Sequence, residues 1–331
     1  MRLDIDGRNC ELESGRSILD AVKKEGLDSI MLSDRPLAAQ IGGEVFNLRF
    51  TPKKDTQIHL LRYGEDMGRR VYERTLQFLL ILAMRKEFPR ARVCVRYSLG
   101  PGLFITVDGM EEPFNEEAAL KVETEMRRLV RLKLPLERRR ISIKEALSFY
   151  EQDGQADKAK LLKWRRFSYF DVYQIDGYMD YFYGEMAPDT SYADVFRVKY
   201  VHDGAVVLLM PRSDAPDVPS DYVDLPKLHA VFHQSDEWGK LMECATVNDL
   251  NTHIQNGTIR ELVRINEALH DRGYADIADK IVQKGAKAVL VAGLPPQERL
   301  PLPIGYPRSC VCRAVIRSCC RWTITTSTGI R

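Results

Sequence analysis

Residues 67–107, MGRRVYERTLQFLLILAMRKEFPRARVCVRYSLGPGLFITV, decide the fold class of this chain. In the first half of this stretch, apolar side chains recur three or four positions apart, which predicts one long amphipathic helix that Pro89 ends. Residues 92–97 and 103–107 then alternate between apolar and polar side chains on either side of a Gly-Pro-Gly turn, which predicts a β-hairpin. A helix followed by a hairpin indicates a mixed α+β domain.

Residues 1–62 predict a smaller mixed unit in front of that helix. Residues 1–5 alternate as in a strand, and Ser17 begins a short helix in a capping-box pattern that a glycine ends. Two further strands are predicted at residues 36–42 and 57–61. Short strands around one helix suggest a β-grasp domain.

Helices dominate the later part of the chain. Asn115 is a predicted N-cap for a charged helix that runs to about residue 132. Within the helical residues 241–285, one helix is predicted from Thr258 to Gly273, followed by a second over 275–284. Residues 287–293, KAVLVAG, then predict a buried strand that ends in a glycine.

The overall composition is that of an ordinary globular protein. The chain has 331 residues, of which 44% are apolar and 29% are charged, which suggests two or three domains. Its net charge of +2 gives no general attraction to nucleic acid. Because no stretch reads as a signal peptide or a membrane span, a cytoplasmic protein without a membrane partner is expected.

The composition changes abruptly at residue 294. Residues 294–331 hold six arginines, five prolines and no lysine, together with Cys310, Cys312, Cys319 and Cys320. The cysteine spacing does not match a paired zinc motif, so no metal is predicted there. The break suggests a segment that was not selected as protein.

Three motifs carry a resemblance to a known family. They are LAAQIGGEVFNLRFTPKKDTQIHLL at 37–61, YERTLQFLLILAMRKEFP at 72–89 and DYFYGEMAPDTSY at 180–192. With these motifs, the first 240 residues resemble the N-terminal half of threonyl-tRNA synthetase. The resemblance implies a TGS-like β-grasp domain over 1–62 and an α+β domain over 63–240, similar to the synthetase's second additional domain, which edits mischarged tRNA.

The resemblance also implies which positions would carry editing chemistry. Active members use a His-x-x-x-His pair on the first helix and a Cys-x-x-x-His pair in a later loop. The corresponding residues here are Arg74, Phe78, Phe182 and Met186. None of them transfers a proton near neutral pH or binds a metal, so packing or ligand binding is expected instead of editing hydrolysis.

A second resemblance covers residues 1–293. WGKLMECATVNDLN at 238–251, IRELVRINEALHDRGYADIADKI at 259–281 and the run into KAVLVAG are similar to bacterial uridine kinase-like nucleoside kinases, which carry synthetase-like domains ahead of a P-loop kinase. This implies a helical connector and first kinase strand over 241–293, with Gly293 as the remnant first P-loop glycine. The intact family would use ATP or GTP with Mg²⁺ to phosphorylate uridine or cytidine.

This chain lacks the rest of a phosphate loop, because prolines follow Gly293 and no lysine does. Loss of one base near the Gly293 codon permits the shifted sequence GPSSSGKT, so residues 294–331 are interpreted as an out-of-frame tail. Two hypotheses remain open at this point. The chain is either an inactive, truncated nucleoside kinase fragment without a bound cofactor, or a stand-alone RNA- or small-ligand-binding module related to threonyl-tRNA synthetase.

Three further groups of side chains have a functional and a structural interpretation. The basic stretch Arg127–Arg140 would contact RNA phosphates, but the interleaved glutamates favour a solvated helix face. His229 and His233 would share a helix face as metal ligands or as surface histidines. The aromatic set would stack on a base or fill the former editing cleft; it consists of Tyr178, Tyr181, Phe182 and Tyr183.

Overall fold

The computed structural model describes residues 1–202 and 204–286 and shows a mixed α+β protein, as expected. It divides into two compact units between Trp238 and Gly239. The predicted strand at 287–293, the remnant Gly293 and the cysteine-rich tail lie outside the described residues. Among the described helices, none is long and apolar enough to cross a bilayer.

The first unit begins with a five-stranded sheet and one helix. Strands β1 and β5 pair in parallel at its centre, and the strand order is β2-β1-β5-β3-β4. The elements are β1 Arg2–Ile5, β2 Arg8–Glu11, α1 Ile18–Lys24, β3 Ala38–Ile41, β4 Glu44–Phe46 and β5 Thr56–Leu61.

Helix α1 begins where the sequence predicts. The Ser17 hydroxyl accepts a hydrogen bond from the Asp20 N–H, and the Asp20 carboxylate accepts one from the Ser17 N–H, which completes a capping box. One face of the helix is buried against the sheet and consists of Ile18, Leu19, Ala21 and Val22. The cap and the apolar face therefore fix both the start and the orientation of this short helix.

The rest of the first unit contains helices and three antiparallel sheets. The four-stranded sheet has the order β11-β12-β7-β6, the three-stranded sheet has the order β10-β9-β8, and β13 pairs with β14 in a two-stranded sheet. The elements are α2 Asp66–Glu87, β6 Arg92–Leu99, β7 Gly102–Asp108, α3 Glu116–Leu132, β8 Glu137–Ser142, α4 Ile143–Gln152, α5 Ala156–Leu162, β9 Tyr169–Ile175, β10 Tyr178–Asp180, β11 Arg197–His202, β12 Ala205–Leu209, β13 Pro211–Arg212, β14 Ala215–Pro219 and α6 Pro226–Leu241.

The structure confirms the long helix, the hairpin and the capped charged helix. Helix α2 ends just before Pro89, and β6 pairs antiparallel with β7. The Asn115 side chain accepts a hydrogen bond from the Ala118 N–H at 2.9 Å and so caps α3. The expectation that Arg127–Arg140 forms one helix face is wrong, because Lys133 adopts φ +52° and ends α3, and the arginines that follow lie on strand β8.

A continuous hydrophobic core joins the first sheet to helix α2. Tyr63 and Tyr72 are fully buried, with their ring centroids 5.1 Å apart in an edge-to-face arrangement. The Tyr63 hydroxyl donates a hydrogen bond to the Pro211 carbonyl at 2.7 Å. The junction near residue 62 is thus part of the buried hydrophobic interior.

The second unit contains helices α7 Val247–Gln255 and α8 Ile259–Gln283. A capping box at Thr246 and Asp249 begins α7. The predicted end of a helix at Gly273 is wrong, because α8 continues through this residue for almost three further turns, to Gln283. A glycine inside a helix costs only about 1 kcal/mol, so the apolar residues on both sides outweigh it.

Candidate functional site

The candidate site lies where helix α2 meets the loop that follows β10. The Arg74 guanidinium donates a hydrogen bond to the Glu185 carbonyl at 2.6 Å. Two residues further along the loop, the Ala187 N–H donates a hydrogen bond to the Thr75 hydroxyl at 2.9 Å. Asn47 holds the loop from the other side, donating from its side-chain amide to the Met186 carbonyl at 2.8 Å.

The four positions that the resemblance assigns to editing chemistry meet in this place. Phe78 and Met186 are fully buried, and both belong to the main hydrophobic core. The centroids of the Phe78 and Phe182 rings lie 5.3 Å apart. Carbon and thioether atoms therefore occupy the space in which imidazole or thiolate groups would have to act.

Arg74 is the one polar side chain of the four. Burial lowers the pKa of its guanidinium, but arginine keeps its charge in proteins. Gly184 lies directly under it with φ +92°, and a Cβ atom there would come within 2.9 Å of the guanidinium carbon. Arg74 consequently ties the loop to α2 and offers no proton for general acid or base catalysis.

The polar groups beside Arg74 are also engaged with one another. The Tyr173 hydroxyl donates to the Gly184 carbonyl or to the Glu185 carboxylate, each at 3.1 Å. Arg138 forms an ion pair with that carboxylate. Burial raises the pKa of Tyr173, so its hydroxyl stays protonated at neutral pH. This corner is a structural network that holds the loop.

The four aromatic residues at 178–183 divide between the interior and the surface. Tyr178 and Phe182 both pack on Phe78, with centroid distances of 5.9 and 5.3 Å. Tyr181 stacks on Phe170, whereas Tyr183 is 78% exposed. Cleft filling describes Tyr178 and Phe182, whereas Tyr183 is the ring of the four that faces solvent.

The basic stretch is partly neutralised by nearby carboxylates. Arg127 pairs with Glu123 at 2.6 Å, and Arg128 forms two hydrogen bonds with Glu125 at 2.6 and 2.7 Å. Arg131 and Lys133 are exposed, and within residues 1–202 and 204–286 neither forms an ion pair. Of the basic residues on and just after α3, these two are the ones with their charge available to a phosphate.

The two histidines lie on helix α6, and a third imidazole is close by. The ring centroid of His229 is 6.2 Å from that of His233 and 5.3 Å from that of His202. The Tyr97 hydroxyl and His229 Nδ1 share a hydrogen bond of 2.6 Å. In the described part of the chain, no group of three or more His, Cys, Asp or Glu side chains is arranged to hold a metal ion.

A charged cluster that the sequence did not indicate lies at the entry to α2. His59 Nδ1 is 2.8 Å from Asp6 Oδ1, and His59 Nε2 is 2.7 Å from Glu65 Oε2. Both ring nitrogens donate to a carboxylate only when the imidazole is protonated. The hydrogen bonds to Glu65 and Asp6 accordingly raise the pKa of His59.

This cluster predicts a pH-dependent stability. A raised pKa gives a stabilisation that is complete below the unfolded pKa of about 6.5 and is lost as the pH rises through the folded pKa. We expect the melting temperature of the wild-type chain to exceed that of His59→Gln clearly at pH 5.5 and by less at pH 9. A constant or growing difference in thermal melts over this range would contradict the prediction.

Comparison with known proteins connects this architecture to tRNA ligases. The chain is 25% identical over 194 residues to threonine–tRNA ligase of Clostridium kluyveri, a match that covers 58% of this chain and 30% of the relative. It is 29% identical over 160 residues to the ligase of Acetivibrio thermocellus, covering 48% and 24% of the two chains. It is 26% identical over 157 residues to the ligase of Desulforamulus reducens, a match that covers 47% of this chain and 24% of the relative. No protein-family model matches.

The chain therefore spans less than a third of the length of these relatives, which it matches in their N-terminal regions. The expectation that the chain is a fragment of a nucleoside kinase, a family of ATP-binding transferases, is wrong, because the relatives are threonine–tRNA ligases. That expectation rested on the motifs within residues 238–293 and on the out-of-frame interpretation of residues 294–331, and of these, residues 287–331 lie outside the described part of the chain. The second hypothesis, a module related to threonyl-tRNA synthetase, agrees with these relatives.

Proposed function

We propose that this chain is an RNA-binding module, related to the N-terminal part of threonine–tRNA ligases, that binds tRNA without hydrolysing an aminoacyl ester. The similarity to threonine–tRNA ligases over up to 58% of the chain carries the proposal. A module that keeps the scaffold and lacks catalytic side chains retains a surface for RNA and loses the reaction.

The architecture supports an organisation of the chain into successive domains. The order β2-β1-β5-β3-β4 around helix α1 supports a TGS-like β-grasp domain over 1–62. Helix α2 with the antiparallel sheets supports an editing-domain-like α+β domain over 63–240, and helices α7 and α8 support a helical connector after it. Because one core joins the first two domains, we expect them to unfold together.

The filled cleft argues against editing by this chain. Hydrolysis of an aminoacyl ester needs a group that activates water, and the three residues Phe78, Phe182 and Met186 offer none. Arg74 is bound to the Glu185 carbonyl and keeps its proton. The former site acts as a packing centre that positions the loop after β10.

The exposed charges near the end of α3 support a contact with phosphates. Arg131 and Lys133 lie within three positions of each other and face solvent. Two phosphate contacts predict a dissociation constant for tRNA that rises at least about 12-fold between about 50 and 200 mM salt. Fluorescence anisotropy with labelled tRNA at a series of salt concentrations measures this slope.

The matched variants make this test specific. Replacing Arg131 and Lys133 by glutamine is expected to weaken binding and to reduce the salt slope by about two, because two phosphate contacts are lost. The control replaces Lys53 and Lys54 by glutamine; both side chains are also exposed, and their replacement removes the same charge. Equal effects of the two double variants would remove this site from the proposal, and the absence of tRNA binding at about 50 mM salt would refute the function.

A further inference from the structure

A basic and aromatic surface surrounds the start of strand β9. The segment KWRRFSY at 163–169 has three cationic and three aromatic side chains and no acidic one. Phe167 is 60% exposed and Tyr169 is 37% exposed, and on the loop after β10 Tyr183 is 78% exposed. Large rings in water are unfavourable for folding alone, so their concentration at one place indicates a binding surface.

The rings form two groups that Arg165 connects, because its guanidinium lies 5.8 Å from the centroid of Phe167 and 4.9 Å from that of Phe170. The centroids of Phe167 and Tyr169 lie 5.8 Å apart, and those of Tyr181 and Tyr183 lie 4.6 Å apart. Tyr181 stacks on Phe170 at 4.5 Å, and Phe170 is buried in the core beneath the sheet. Tyr183 is therefore supported, through Tyr181, by a ring that is fixed in the core.

Arginines fix the orientation of these rings. The Arg140 guanidinium lies 4.1 Å from the centroid of Tyr169 and is held in place by two hydrogen bonds to Asp171 at 2.8 and 3.1 Å. Arg165 lies 5.8 Å from the centroid of Phe167, and its Nε donates to the Tyr169 carbonyl at 2.9 Å. Because the rings are held before a ligand arrives, less conformational entropy is lost on binding.

The charge of the surface indicates an anionic partner. Strand β8 pairs with β9 in a register that sets Ser142 opposite Tyr169, which brings a second run of arginines next to the segment. The carboxylates that pair with these arginines are Asp171 and Glu185. The cations that remain in excess are drawn from Arg138, Arg139, Arg140, Lys163, Arg165 and Arg166.

We propose that Phe167, Tyr169 and Tyr183 form a stacking platform for the unpaired bases of an RNA strand, whose phosphates lie against the neighbouring arginines. This inference rests on the proposed RNA-binding function and assigns it a second contact, separate from the exposed charges at the end of α3. Aromatic rings next to cations are the combination that binds single strands, because each base offers a face to stack and each nucleotide carries a charge. If the surface bound a protein instead, the rings would also become buried, but binding would not depend on unpaired bases.

The test compares unpaired with paired RNA. The triple variant Phe167→Ala, Tyr169→Ala and Tyr183→Ala is expected to bind a labelled ten-nucleotide unpaired RNA about tenfold or more weakly than the wild-type chain. A duplex of the same sequence is expected to bind both proteins equally. The variant Phe167→Tyr, Tyr169→Phe and Tyr183→Phe keeps every ring and is expected to bind like the wild type.

Two controls separate the possible failures. Phe50→Ala removes a ring of 38% exposure elsewhere on the protein and should not change binding. Tyr183→Ala alone removes the most exposed ring and gives a severalfold loss even if the triple variant does not fold. If the wild type binds RNA but neither alanine variant weakens it, the platform is refuted. If the wild type binds no RNA, the proposed function fails as well.

Discussion

Replacing Phe78 by alanine is expected to lower the free energy of unfolding by about 4 kcal/mol, because a fully buried aromatic ring is lost and a cavity remains. The ring packs on Tyr178 and Phe182, with centroid distances of 5.9 and 5.3 Å. The surrounding backbone cannot collapse easily into the space, because Arg74 and Thr75 hold the facing loop by hydrogen bonds. Urea unfolding followed by circular dichroism measures the change.

The control for this prediction is Phe50→Ala. Phe50 is 38% exposed and packs against Phe46 in a tilted arrangement with a centroid distance of 4.5 Å. Its loss is expected to cost about 1 kcal/mol, because little apolar surface leaves the interior. A cost below about 1 kcal/mol for Phe78→Ala would show that the cleft is not filled as described and that the editing-type positions do not form a packing centre.

The second large effect is expected for Arg35→Met, at about 3 kcal/mol of unfolding free energy. Arg35 is 6% exposed and forms two hydrogen bonds with the Asp194 carboxylate, at 2.8 and 3.0 Å. It also donates to the carbonyls of Ser29 at 3.1 Å, Tyr192 at 3.2 Å and Ile30. Methionine fills much of the volume but leaves a carboxylate and three carbonyls without their donor.

The matched control is Arg16→Met, which removes an exposed pair with Glu13 at 3.6 Å. Exposed ion pairs contribute between zero and about 1 kcal/mol, so this variant should resemble the wild type. Adding Asp194→Leu to Arg35→Met is expected to restore part of the loss, since the unpaired charge is then removed. Equal stabilities of the two arginine variants would contradict the role of Arg35 as the link between residues 29–35 and 190–194.

Much of the fold follows from local rules that are visible in the sequence. Ser17 and Asn115 begin helices, and Pro89 ends one, because caps and proline act within a few residues. Strand β8 was not predicted, since its arginines are hydrophilic and only the pairing with β9 makes them a strand. Gly273 was wrongly predicted to end a helix, because the tendency of a single residue to break a helix is small compared with the favourable contacts of its neighbours.

In the candidate site too, some features could be predicted from the sequence and others could not. The resemblance pointed to Arg74, Phe78, Phe182 and Met186, and the structure brings these distant positions together at one place. Neither the Arg35 contacts nor the His59 cluster has a sequence signal, because their partners are separated by 159 and 53 residues. The prediction of a kinase failed because it extrapolated from the end of the chain, whereas the relatives match the synthetase-like part.

The most direct test of the central claim measures binding and deacylation in one experiment with mischarged threonine tRNA. We expect the chain to bind this tRNA with an affinity that falls as salt rises, while the aminoacyl ester decays at the rate seen without protein. The two readouts are anisotropy of the labelled tRNA and retention of the labelled amino acid at saturating protein. Protein-dependent deacylation, or no binding at low salt, would contradict the account of a tRNA-binding module whose editing-type cleft is filled by Phe78, Phe182 and Met186.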